Sequence, residues 1–180
     1  MHPDLKEVLF TAEQIHARVQ QMAERIAADY RDRDPVLVGV LDGAFIFLAD
    51  LLRALPMQVR IDFVKWSSYG DRRTSSGVVQ LVKDLSRNVE GEHVLVVEDI
   101  VDTGLTLRYL VANLRTRSVA SLAVATLFDK PSRRKVEIEA DYIGFQVPDE
   151  FVVGYGLDYA QRYRDLPYVG VLKPEIYGRT

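Results

Sequence analysis

The sequence predicts an α/β fold, a mostly parallel sheet with helices on both faces. Short apolar runs, the length of buried strands, alternate with segments of helical periodicity. Two of those runs end in a Gly-containing turn that leads straight into a helix. The chain has 180 residues, 48% hydrophobic and 27% charged, a globular composition with enough length for a real core.

Taken in order, residues 11–30 read as an amphipathic helix. Thr11 is a candidate N-cap, and Ile15, Val19, Met22 and Ile26 form one stripe. Pro35 precedes Val36-Leu37-Val38-Gly39-Val40, a buried strand, and Leu41-Asp42-Gly43 turns into a helix over residues 44–55. Residues 59–64 read as another strand. The polar stretch 66–77, WSSYGDRRTSSG, has the length and composition of a mobile flap, and 78–82 is a short strand after it. Residues 92–97 form the next strand, 105–114 a helix, and 121–128 a further apolar strand. Shorter strands are expected at 142–145 and 151–154, with a loop-rich tail. Neither an internal repeat nor a linker is visible, so a single domain is expected over residues 1–180.

Composition excludes several chemistries. Without cysteine there are no disulfides, thiolate nucleophiles or Cys-based zinc sites. A net charge of −3 speaks against a general nucleic-acid binder. The polar, charged start is unlike a signal peptide, and the longest apolar stretch, 44–55, is too short to span a bilayer. The expected location is the cytoplasm, with no membrane partner. His2, His16 and His93 are scattered. The motifs G-x-x-x-x-G-K-[ST] and G-x-S-x-G are missing.

The informative segment is VLVVEDIVDTGLTL, residues 94–107. In parallel sheets ligands sit beyond the carboxyl ends of the strands. The turn over 41–44 and the acidic turn over 98–106 would lie on the same sheet edge and form one site. Two adjacent carboxylates, Glu98 and Asp99, are costly there unless a cation or hydrogen-bond donors meet them. Vicinal sugar hydroxyls supply such donors, and a divalent ion, Mg²⁺ for carboxylate and phosphate oxygens, would complete the balance. Asp102, Thr103, Gly104, Leu105 and Thr106 then offer backbone N–H groups and two hydroxyls at a helix start, a cradle for a phosphate dianion. A ribose 5-phosphate fits both halves. A plainer reading has the acids end a strand and Asp102 cap the helix. The whole combination directly after an apolar strand favours a site.

This segment resembles the signature of the type I phosphoribosyltransferases, the loop that binds phosphoribosyl pyrophosphate. Further segments resemble the hypoxanthine-guanine branch: VGVLDGAFIFLADLL its pyrophosphate loop and helix, SSYG its flap, FDKP and FVVGYGLDYAQRYRDLPYVGVL its purine-binding elements. The resemblance implies a core sheet with a small hood and a flap. It also implies a Mg²⁺-dependent glycosyltransferase of purine salvage, transferring the phosphoribosyl group to hypoxanthine or guanine. Homodimer or homotetramer assembly goes with it.

Residue by residue, the resemblance makes Asp102 the general base beside the purine N7. Glu98 and Asp99 become ribose-hydroxyl and metal ligands, and Thr103 to Thr106 the 5'-phosphate cradle. Lys130 would bond the 6-oxo group of the purine. Phe151 would stack on the base, Val152 would read its edge through the backbone, and Glu150 would add backbone contact. Asp158, beside the purine, would hold a second Mg²⁺ against pyrophosphate, and Arg164 would contact pyrophosphate. Leu41, Asp42 and Gly43 match a pyrophosphate loop with a non-proline cis peptide, where several relatives carry Lys at position 42. Ser68 and Tyr69 match flap residues that close over pyrophosphate, with Arg72 and Arg73 adding charge. Two other classes stand beside the enzyme: an RNA-binding regulator of the same fold, which needs a basic face, and a nucleotide-binding module without turnover, against which Asp102 argues.

Overall fold

The computed structural model describes residues 1–68 and 79–178. The first helix, α1 (Ala12–Asp29), starts where the sequence places it. Thr11 Oγ1 accepts from the Gln14 N–H while the Gln14 side chain accepts from the Thr11 N–H, a capping box. Its buried stripe is Ile15, Val19, Met22, Ala23 and Ile26.

Six strands form the main sheet: β2 (Val36–Leu41), β3 (Arg60–Ser68), β4 (Val79–Lys83), β5 (His93–Val101), β6 (Ser121–Asp129) and β7 (Tyr142–Gln146). Their order is β4-β3-β2-β5-β6-β7, all parallel except the β3–β4 pair. Helix α2 (Phe45–Ala54) joins β2 to β3, and α3 (Leu105–Arg115) joins β5 to β6. The central strands are apolar on both sides because both faces are covered. Leu37, Leu95, Val97 and Leu127 pack with α1 and α2 on one face; Val36, Val38, Val94, Val96 and Val124 pack with α3 on the other. Each such side chain stabilises the fold by about 1.5–3 kcal/mol on full burial.

A second, antiparallel sheet has the order β1-β9-β8: β1 (Leu5–Phe10), β9 (Val169–Leu172) and β8 (Val152–Val153). It carries the hood residues 151–158 over the carboxyl edge of the main sheet. Sequence reading missed β1 and β9, and placed β8 two residues too long. The tail also holds α4 (Pro174–Tyr177). Strand β3 runs on through Trp66-Ser67-Ser68, so the first three residues of the expected flap are strand; the other flap residues, 69–77, lie outside the described ones. Among the described residues no helix is long and apolar enough to cross a membrane.

Asp62 pins the antiparallel edge. It is 5% exposed and accepts from the N–H groups of Phe63 (2.7 Å) and Ser86 (2.8 Å), with Lys83 at 3.6 Å. Burial opposes its ionisation, but those amides and the Lys83 ammonium outweigh burial and hold its carboxyl below the ordinary 3.8. A depressed carboxyl adds stability above its unfolded value that is lost as pH falls through the folded one. Asp62→Asn is therefore expected to cost about 1–3 kcal/mol at pH 7 in urea unfolding. The gap to the parent should close as pH drops below 3.8.

Candidate active site

Strand β5 lies between β2 and β6, and its last turn of chain brings the acids to the sheet edge. The expected strand over 92–97 extends to Val101, so Glu98 and Asp99 are strand residues and only residues 102–104 turn. Pairing to β6 enforces this: Glu98 aligns with Thr126 and Val101 with Asp129. Glu98 Oε1 accepts from the Asp99 N–H at 3.3 Å, and Asp99 Oδ1 from the Ile100 N–H at 2.7 Å. Burial, then the charge of Asp99, push the Glu98 carboxyl well above its ordinary value. Burial likewise raises Asp99, with hydrogen bonds and the Arg164 guanidinium pulling the other way. Two such groups titrate as a pair and share a proton more readily than they carry two charges.

The turn after β5 leads into α3 through Gly104, its N-cap, at φ 79°. Asp102 does not cap the helix; no side chain does. First-turn amides of a helix without a side-chain cap are free for an anion. The Leu105 N–H makes only a long bond, donating to Thr103 Oγ1 at 3.4 Å, and the Thr103 carbonyl accepts from the Lys135 N–H at 2.9 Å. Arg134 ties the turn down. Its Nη1 donates to the carbonyls of Val101 (2.9 Å) and Asp102 (2.6 Å), and its Nη2 donates to Asp129.

The first cavity opens between the two turns. Asp42 and Gly43 line one side, Glu98 and Asp99 the floor, and Asp102, Thr103, Gly104 and Thr106 the other side. Asp158 and Arg164 close it from the hood. The Leu41–Asp42 peptide is cis. Gly43 packs so tightly that a Cβ there would stand 1.6 Å from Asp99 Oδ2. Arg164 Nη2 lies 3.1 Å from Asp158 Oδ1, and Arg164 Nη1 donates to the Gly156 carbonyl at 2.6 Å. The Asp42 side chain turns to Lys65 on β3, at 2.8 and 2.9 Å.

A second cavity adjoins the first, sharing Asp99, Asp102 and Asp158. It is lined by Lys130, Glu150, Phe151, Val152 and Tyr177. Lys130 is 6% exposed and its Nζ donates to the Glu150 carbonyl at 2.7 Å. Burial lowers its ammonium below the ordinary 10.5. The Glu150 carboxylate lies 3.6 Å from Lys6 Nζ, while its carbonyl meets Lys130. Phe151 stacks on Tyr177 with centroids 5.1 Å apart and meets Tyr159 edge-on at 5.5 Å. Arg133 Nε approaches Asp102 Oδ1 at 3.2 Å without hydrogen-bond geometry and Nη1 reaches Asp149 at 3.5 Å.

The structure thus brings together both turns, Lys130 and the hood, from elements far apart in sequence. Ser68 ends β3, while Tyr69, Arg72 and Arg73 lie outside the described residues. Sequence reasoning missed Arg133, Arg134, Lys65 and Tyr177. Trp66, counted there as flap, lines the first cavity with its indole N–H buried and unpaired. The adjacent Arg-Arg after FDKPS was a signal for Arg134; Tyr177 offered none.

A phosphoribosyl transferase domain model matches residues 9–160. The hypoxanthine-guanine phosphoribosyltransferase of Bacillus subtilis (strain 168) is 50% identical over 177 residues, 98% of either chain. The bifunctional protein TilS/HprT of Listeria monocytogenes serotype 4b is 51% identical over 98% of this chain, which spans 27% of that protein's length. A solved hypoxanthine phosphoribosyltransferase structure from Staphylococcus aureus superposes with a TM-score of 0.94 at 48% identity, covering 98% of this chain and 96% of that one.

Because Asp99 fills the space beside Gly43, Gly43→Ala must push the turn or the carboxylate aside. Overpacking of this kind costs about 1–3 kcal/mol. A lowered thermal midpoint is expected, and an unshifted one would show that the turn yields freely.

Proposed function

The chain belongs to the phosphoribosyltransferase family, in its hypoxanthine-guanine branch, and from that premise we propose its reaction. It transfers the 5-phosphoribosyl group from phosphoribosyl pyrophosphate to hypoxanthine or guanine, giving IMP or GMP and pyrophosphate. One observation carries the reading: Asp102 lies where the acidic, phosphate-cradling cavity meets the aromatic cavity holding a buried ammonium. A base and a sugar phosphate would meet at that carboxylate.

The purine N9 attacks C1 of the ribose, the C1–O bond to pyrophosphate breaks, and the proton shed by the base passes to Asp102. Glu98 and Asp99 hold the ribose hydroxyls, and their negative charge stabilises the cationic ring of the transition state. Amides from Thr103 to Thr106 hold the 5'-phosphate. Arg164 and the Leu41-Asp42-Gly43 turn receive pyrophosphate. Lys130 has three donors, one spent on the Glu150 carbonyl, and offers another to a 6-oxo group. Adenine would present a donor to that donor. Phe151 supplies a ring face, and the Val152 backbone an edge contact.

Magnesium belongs to this proposal. Among the described residues no cluster of three His, Cys, Asp or Glu side chains could hold a metal ion. The paired Glu98–Asp99 carboxylates, and Asp158 opposite, suit an ion whose remaining ligands are substrate hydroxyl and phosphate oxygens. When bound, Mg²⁺ would neutralise the leaving pyrophosphate. Ser68 and Tyr69 closing over that group, assembly as a homodimer or homotetramer, and a cytoplasmic location complete the reading.

Steady-state rates with the four purine bases and phosphoribosyl pyrophosphate test it directly: no pyrophosphate release with any base would end it. Asp102→Asn should slow nucleotide synthesis about 10²–10⁴-fold while nucleotide affinity stays near that of the parent. Turnover close to the parent would take Asp102 out of the mechanism. Lys130→Met should raise KM for guanine and hypoxanthine about 10- to 100-fold, the worth of a charge-assisted hydrogen bond. An unchanged KM would move 6-oxo recognition elsewhere.

A further inference from the structure

The reaction gives the Asp42 side chain no part, although Asp42 stands in the wall that receives pyrophosphate. That wall is poorly charged for its task. Its carboxylates are Asp42 and Asp158, and the guanidinium lining it, Arg164, is already paired with Asp158 at 3.1 Å. A diphosphate anion approaching an unscreened Asp42 would be repelled.

Lys65 answers this. In the β2–β3 ladder Lys65 is registered with Leu41, one residue before Asp42. Its Nζ donates to both Asp42 oxygens, at 2.9 and 2.8 Å. The lysine across the strand pair, Lys83, is engaged elsewhere, donating to the Phe63 carbonyl at 2.7 Å. Both members of the Lys65–Asp42 pair are partly exposed, at 37% and 45%. Exposed pairs add little to fold stability, so the consequence of this one is electrostatic and local.

We propose that Lys65 is a positioning residue of the pyrophosphate site. It holds the Asp42 carboxylate against β3 and cancels its charge, so that the peptide groups of the Leu41-Asp42-Gly43 turn face the diphosphate. The ligand class is a diphosphate anion, free or esterified to a sugar. The inference rests on the reaction assigned above.

The test measures binding of pyrophosphate with Mg²⁺ by calorimetry, and KM for phosphoribosyl pyrophosphate. The proteins are the parent, Lys65→Met, the double variant Asp42→Asn with Lys65→Met, and the charge swap Asp42→Lys with Lys65→Asp. Lys65→Met should weaken pyrophosphate binding and raise that KM by about tenfold, with KM for guanine changed less than about twofold. Both double variants should recover most of the loss, which a merely structural lysine would not allow. Parent-like binding in Lys65→Met, or a double variant with Asp42→Asn as weak as Lys65→Met alone, overturns the role of Lys65 and leaves the reaction standing. A parent that binds neither pyrophosphate nor phosphoribosyl pyrophosphate overturns the site reading and this inference with it.

Discussion

Glu98, buried, and Asp99, half-buried, sit side by side near the end of the central strand, and the architecture of the site follows from accommodating them. Two desolvated carboxylates are among the costliest groups a fold can hold. Proton uptake relieves part of the cost, which is why both are shifted upward. The rest is steric and passes outward through contacts. The Asp99 carboxylate takes the space a Cβ would need at residue 43, so residue 43 is glycine. The carbonyl of Gly43 in turn stands 2.2 Å from where a Cβ would lie on residue 156, which is also glycine, at φ 97°. The carbonyl of Gly156 accepts from Arg164, the guanidinium whose charge opposes the rise of Asp99. A core strand is thereby coupled to the hood through four residues in contact.

A second set of contacts fixes the other half. Arg134 joins the carbonyls at the end of β5 to Asp129 at the end of β6. A planar guanidinium with donors in a fixed fork suits that bridge better than lysine would. The next residue after Asp129 is Lys130, whose Nζ is aimed by the Glu150 carbonyl of the hood. The acid and the ammonium of the proposed reaction are thus held by neighbouring strands and by each other's supports. Groups mounted on rigid elements keep their geometry better than groups on free loops.

The sequence made the main sheet and both strand-to-helix turns legible because each carries a local signal: an apolar run, a capping residue, a glycine. It did not reveal β1 or β9. Those strands pair with each other across more than 150 residues, and Leu5 to Phe10 show neither clean alternation nor a continuous apolar run. The acids were read as turn residues because carboxylates look foreign to a buried strand, yet the ladder to Thr126 and Phe128 carries β5 past them. Site residues announced by chemistry were visible; those acting by position were not. Arg134 and Lys65 look like solvated surface charges until the fold supplies Asp129 and Asp42 as partners.

The ion pairs around the cleft share a property that bears on turnover. Lys65–Asp42, Arg133–Asp102 and Arg164–Asp158 each place a cation beside an acid of the cleft lining, at 2.8, 3.2 and 3.1 Å. Cations and acids so arranged lower the net charge of an otherwise acidic cavity before any substrate arrives. Pairs as exposed as Lys65–Asp42 and Arg133–Asp102 contribute on the order of 0–1 kcal/mol, so breaking one costs little, whereas Arg164–Asp158 is more enclosed. In the proposed reaction a phosphate oxygen would replace an acid on Arg164, and a purine would replace Arg133 beside Asp102. A cleft built from strong, fully buried pairs would be more rigid but would resist that exchange. The Glu98–Asp99 pair is the exception: among the described residues neither acid stands in a salt bridge, and burial sets its charge, opposed on Asp99 by hydrogen bonds and the more distant field of Arg164.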